Sequence, residues 1–137
     1  MFTHIILGAR DLERLTGFYD AVLAPLGLVR APAEDDGGPP GALWTMPGRR
    51  WPQFFVQLPF NGLAATWGNG TQVSFAAPSR AAVDAAWQAA LAHGGMDEGK
   101  PGTREHYDPD YYGAYCRDPE GNKLCFVHAD NMEALFV

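Results

Sequence analysis

The chain repeats itself once, and that repeat limits what it can fold into. Thr3-His4-Ile5-Ile6-Leu7 aligns with Thr71-Gln72-Val73-Ser74-Phe75, placing His4 and Gln72 68 residues apart. The same spacing sets Leu15 on Val83, Tyr19 on Trp87 and Leu23 on Leu91. It also brings Leu26-Gly27 onto Gly94-Gly95. Further on, Gly41-Ala42 before Pro47 matches Gly113-Ala114 before Pro119, and Phe55 to Leu58 falls on Lys123 to Phe126. Two copies of one unit, about residues 1–62 and 68–137, share a chain long enough for a single domain with a real core.

Each copy opens with a strand followed by a helix. Residues 2–9 form a short apolar, partly β-branched run that suits a buried strand. Asp11 then caps a helix in which Leu12, Leu15, Phe18, Tyr19, Val22 and Leu23 share one face, and Pro25 with Gly27 ends it. In the second copy Ser79 caps a helix with Val83, Ala86, Trp87, Ala90 and Leu91 inward, ended by Gly94-Gly95. Residues 43–46, 54–58, 112–117 and 123–128 read as strands. Asp118-Pro119-Glu120-Gly121-Asn122 makes the hairpin turn between the last two.

Alternation along the strands separates two faces. Ile5, Leu7 and Ala9 share one face, as do Val73, Phe75 and Ala77. These apolar sets belong under the helices, together with Val56, Leu58, Leu124 and Phe126. His4, Gln57, Gln72 and Cys125 point the other way, at places that the repeat makes equivalent. If the sheets curl together, the four converge on one concave surface.

In these features the chain resembles the vicinal-oxygen-chelate superfamily of glyoxalase I, bleomycin-resistance proteins and extradiol dioxygenases. The matching residues are His4-Ile5-x-Leu7, Asp11-Leu12-x-Arg14, Phe18-Tyr19 with Leu23 and Leu26-Gly27, Phe75-Ala76, and Tyr115-x-x-Asp118-Pro119-Glu120-Gly121-Asn122-Lys123. Ala77-Pro78-Ser79-Arg80 and Pro101-Gly102-x-Arg104 look like a bacterial glyoxalase-like branch. The resemblance implies an α+β fold of two tandem βαβββ modules, forming an open eight-stranded cup within a homodimer.

It also implies a metal site at His4, Gln57, Gln72 and Cys125, where metal-binding members carry His or Gln, then Glu, His and Glu. Only His4 is of the expected type. Mg, Mn, Ni and Fe(II) want carboxylate charge, and the quartet has none. A divalent metal held by His4 and Cys125 would have two strong ligands. The base that glyoxalase chemistry needs is likewise replaced. Without acidic companions, His4 reads as a hydrogen-bonding pocket wall. Gln57 and Gln72 either orient a ligand or satisfy each other across the cup. Cys125 is either a reactive thiol or an inert buried cysteine, and a bridge to Cys116 is disfavoured in cytosol.

Residues 96–112 read as a long aromatic loop able to close over a ligand. In it Arg104 suits an anionic group, Tyr107, Tyr111 and Tyr112 a flat one, and His106 a proton transfer. The bland alternative has the tyrosines packing the loop down and Arg104 paired with an acid. Residues 34–40 read as a solvated acidic loop, Arg49-Arg50-Trp51 as an exposed turn, and Trp44, Trp67 and Trp87 as core.

The net charge of −6 argues against nucleic acid as a partner. No run is long and apolar enough for a membrane span or a signal segment, so a cytoplasmic location is expected. Three functions follow. The first is a binder of a small organic molecule whose metal site has degraded, with His4, Gln57, Gln72, Cys125, Arg104 and Tyr112 as contacts. The second is a metal-dependent lyase, isomerase or dioxygenase drawing on His4, His106 or Cys125. The third is a non-catalytic dimeric interaction module.

Overall fold

Asp11 and Ser79 begin the two helices as their side chains predict. Asp11 accepts the Arg14 amide at 3.1 Å, and Ser79 accepts that of Ala82 at 3.1 Å. The computed structural model describes residues 1–32 and 35–137. Glu34, which heads the expected 34–40 loop, lies outside the described residues. The first module runs β1 (His4–Gly8), α1 (Leu12–Leu23), β2 (Val29–Arg30), β3 (Gly41–Thr45) and β4 (Gln53–Gln57). The second runs β5 (Gln72–Ala76), α2 (Arg80–Ala92), β6 (Met96–Thr103), β7 (Tyr112–Arg117) and β8 (Lys123–His128).

The strands form two four-stranded sheets, ordered β1-β4-β3-β2 and β5-β8-β7-β6. In each sheet the first strand pairs parallel with the last and the other pairings are antiparallel. The fold is the expected α+β pair of βαβββ modules, and its eight strands are divided between two open sheets.

One apolar core serves both modules. Leu15, Phe18, Tyr19 and Val22 of α1 are fully buried with Trp44, Val83, Leu124 and Phe126. Phe54 of β4 meets Phe75 of β5 edge-on, with ring centroids 5.1 Å apart. The two sheets therefore touch through their helix-covered sides, and the other sides face outward.

Several expectations need correcting. Met96–Thr103 is a strand, so the loop shrinks to residues 104–111. Its Gly and Pro residues are tolerated because β6 is a sheet edge, where its register with β7 slips at Asp97/Gly99 and Gly99/Gly102. Leu91 is 37% exposed and Ala82 takes an inward place on α2. Trp67 is 43% exposed, lying under the Arg117 guanidinium instead of in the core. The repeat also carries a two-residue shift. Ile6 pairs with Phe55 and Ser74 pairs with Cys125, so Phe55 is the counterpart of Cys125, and Gln57 that of Val127.

The β7–β8 turn ties the second module to the first helix. Tyr19 Oη donates to Asp118 Oδ2 at 2.7 Å, and Asn122 Nδ2 donates to the same oxygen at 2.7 Å. Asp118 Oδ1 accepts the Glu120 and Asn122 amides. The Glu120 carboxylate then accepts the amides of Arg10 and Asp11, at 2.6 and 2.9 Å, at the head of α1.

Burial, then the neighbouring Asp118 carboxylate, pushes the Tyr19 phenol well above its ordinary value. A folded-state value above the unfolded one contributes stability below pH ~10, lost as pH rises through the folded value. Tyr19→Phe should cost about 1–3 kcal/mol in urea unfolding at pH 7. It should also flatten part of the wild-type loss of stability above pH ~10.

Candidate functional site

On the outward side of the second sheet, strand alternation sets Tyr115 of β7 opposite Cys125 of β8, and Ser74 of β5 beyond it. Cys125 is fully buried there because Tyr111, from the loop before β7, lies down over it. The Tyr111 hydroxyl is 3.4 Å from Cys125 Sγ and 3.1 Å from the Tyr115 hydroxyl. Gly113 makes this possible, since a Cβ at that position would sit 2.7 Å from the Tyr111 ring. Burial, followed by the Cys125 hydrogen bond, holds the Tyr111 phenol protonated far above its usual range. Burial likewise raises Tyr115.

A cavity of about 620 Å3 opens over these rings. Tyr107, Tyr111, Tyr115, Gln72 and Lys123 line it on the sheet and loop side, and Asp108, Asp110 and Asp130 with Met132 close one end. Lys123 Nζ stands 5.7 Å from the centroid of the Tyr115 ring. Asp108 and Asp110 share a hydrogen bond that raises the first carboxyl and lowers the second. Asp110 also accepts the Asp130 amide.

The first sheet carries a larger groove of about 1070 Å3 over Leu43, Phe55, Gln53 and Gln57, rimmed by Arg49, Arg50 and Trp51. The His4 ring lies edge-on to Phe55, its Nδ1 within 2.9 Å of the Thr3 hydroxyl. Gly41 lets β3 approach Gln57, where a Cβ would meet the Gln57 Cβ at 2.7 Å.

The predicted site residues thus separate. His4 and Gln57 belong to the first sheet, Gln72 and Cys125 to the second, and each cavity is lined by one module alone. Gln72 donates its amide to Ser74 Oγ at 2.9 Å and has no bond to Gln57. Arg104 folds back onto the carbonyls of Lys100 and Thr103 and lies against Tyr115, 5.8 Å from the ring centroid. His106 is exposed, its ring tilted against that of Tyr107 with centroids 4.1 Å apart. Tyr112 is on the helix-covered side, its hydroxyl donating to Asp84 of α2 at 2.7 Å, and this bond raises its phenol. Cys116 shares that side, where burial pushes its thiol up to about 12. The two cysteines are free and face opposite ways.

Asp110, Asp130 and Lys123 were not singled out from the sequence. Lys123 has the same strand parity as Cys125, so alternation could have found it. Asp130 follows the last strand, and nothing in the sequence pairs it with Asp110.

The metal that the fold implies does not suit these donors. Cys125 is sealed under Tyr111, His4 and Gln57 stand on the other sheet, and no carboxylate is among the four positions. Among the described residues no three His, Cys, Asp or Glu side chains are grouped to hold an ion.

The sequence profile of the Glyoxalase/Bleomycin resistance protein/Dioxygenase superfamily matches residues 2–126, and the chain belongs to that superfamily. It is similar to a glyoxalase/bleomycin resistance protein from Albidiferax ferrireducens T118, at 39% identity and a TM-score of 0.79, over 93% of this chain and 98% of that one. A glyoxalase/bleomycin resistance protein/dioxygenase family enzyme from Burkholderia phytofirmans PsJN shares the fold at 18% identity and TM-score 0.68, over 93% and 97%. Lactoylglutathione lyase from Agrobacterium tumefaciens does so at 21% and 0.60, over 93% and 92%. None of the curated proteins matches the chain. Among the described residues no helix is long and apolar enough to cross a membrane.

Because Gly113 clears the space for the Tyr111 ring, Gly113→Ala should lift it from Cys125. Mass mapping with iodoacetamide should then show Cys125 alkylated roughly tenfold faster than in the wild type. Cys116, on the other side of the sheet, should stay protected in both proteins.

Proposed function

We propose that the protein binds a small organic molecule on the outward face of its sheets, without a resident metal. The observation that carries this is the second-sheet cavity, whose tyrosine walls and convergent polar groups have the size and make-up of a ligand pocket. Tyrosines supply flat apolar area together with hydroxyls, and Gly99 and Gly113 leave their rings room to lie on the sheet. Bond-breaking chemistry gets less support, since His106 is away from the cavity lining and Cys125 is covered.

The partner is a second copy of the chain. Each sheet ends in its first strand, whose outer edge is unpaired, and β1 leaves Ile5 37% and Ile6 46% exposed. A two-fold neighbour that sets its second sheet beside this first sheet would cover those side chains and wall both cavities. Two unbridged thiols suit a reducing, cytoplasmic setting.

Light scattering should give twice the 14.9 kDa chain mass, and Ile6→Lys should shift it to monomer. Thermal-shift screening of small organic compounds should yield ligands that stabilise by about 2.7 kcal/mol at a hundred times Kd. Tyr111→Ala should weaken them at least roughly tenfold, about 1.4 kcal/mol. Stoichiometric metal on elemental analysis of untagged protein, lost in His4→Ala, would instead favour a metal-dependent lyase or dioxygenase.

A further inference from the structure

The cavity on the second sheet carries charges of both signs that do not neutralise one another. Lys123 lines it at one side and Asp108, Asp110 and Asp130 at the other, and among the described residues Lys123 makes no ion pair within 4.0 Å. The ion pairs elsewhere join Arg30 to Asp20 and Arg117 to Glu98, so the nearest strand neighbour of Lys123 is already satisfied.

The contacts between side chains order what lies between the two ends. Lys123 stands over Tyr115, the Tyr115 hydroxyl meets that of Tyr111, and the Tyr111 ring packs on Tyr107 at 5.1 Å. Asp108 and Asp110 lie between these two tyrosines in the chain, and the Asp130 amide is bonded to Asp110. A row of aromatic rings therefore separates an ammonium from a group of carboxylates inside one cavity of about 620 Å3.

We propose that this cavity takes an elongated zwitterion, its cationic amine among the aspartates, its carboxylate or other anion on Lys123, and a flat body along the tyrosines. This rests on the small-molecule reading above and names its ligand class. Like charges held close together in Asp108, Asp110 and Asp130 favour a cation, which also gains from the adjoining ring faces. Lys123, with the Gln72 amide beside it, supplies donors for the anion. A ligand with one charge satisfies one end and leaves the other unanswered, so selectivity should lie in having both.

The test uses 4-(aminomethyl)benzoate and its two single-charge relatives, benzylamine and benzoate, titrated into the full chain and followed by amide NMR. The expected result is that the zwitterion binds at least roughly tenfold tighter than either relative, each tenfold being 1.4 kcal/mol. Shifts should centre on Tyr111, Tyr115, Lys123 and Asp130. Lys123→Met should reduce the zwitterion to the affinity of benzylamine, and the Asp110→Asn, Asp130→Asn double variant to that of benzoate. Unaltered spectra outside the cavity report that each variant is folded. Equal binding of zwitterion and benzylamine, or a preference that survives Lys123→Met, overturns the zwitterion while leaving a small-molecule binder. Shifts confined to the first-sheet groove, or none with any of the three, also overturn it. The broader reading then stands or falls on the compound screen and on Tyr111→Ala.

Discussion

The carboxylates of Asp118 and Glu120 hold the two modules in their relation to each other. Both lie in the turn between the last two strands of the second module, and both are bonded to the first. Asp118 takes the phenol of Tyr19 from the middle of α1, and Glu120 takes two amides from the head of the same helix. A buried carboxylate is costly unless its oxygens are engaged, and Asp118, 2% exposed, has four donors. The turn can therefore be buried only when α1 is against it, so the fold of the second module and its docking to the first depend on the same bonds.

The direction of each sheet follows from that docking. With α1 wedged against the second module and Phe54 against Phe75, the helix-covered sides are used up in the shared core. What remains free are the sides carrying His4, Phe55 and Gln57 in one sheet, and Gln72, Tyr115 and Cys125 in the other. Each is a half-surface with its own chemistry. The first is edged by arginines and floored by apolar side chains, and the second is walled by tyrosines and ends in aspartates. An internal repeat has thus kept its backbone plan while the two copies have diverged in what they present.

Much of this was legible in the sequence because period-two and helical alternation are read directly from side-chain type. The caps at Asp11 and Ser79, the buried face of α1 and the outward parity of Cys125 all follow from local pattern. The register of the second repeat did not, because two added residues shift the last strand by one full alternation, which leaves every face unchanged and so leaves no trace in polarity. Strand β6 was hidden for another reason. Gly99, Pro101 and Gly102 read as loop, yet an edge strand with slipped register accepts them. The aspartate end of the cavity joins residues 20 apart in the chain through one backbone amide, a contact of a kind that composition does not announce.

The departure from the superfamily's metal ligands goes beyond the three substitutions at Gln57, Gln72 and Cys125. At the position of the last carboxylate the chain has Cys125, a buried thiol out of reach of solvent. Tyr111 provides the cover, Gly113 provides the room, and the phenol that shields the thiol also forms the floor of the cavity. Restoring a carboxylate at residue 125 alone would place an anion beneath a phenol already held protonated, with Tyr115 beside it and no second carboxylate to share an ion. The tyrosine floor and a metal centre are alternative uses of the same ground, and the glycines at 99 and 113 suit the first.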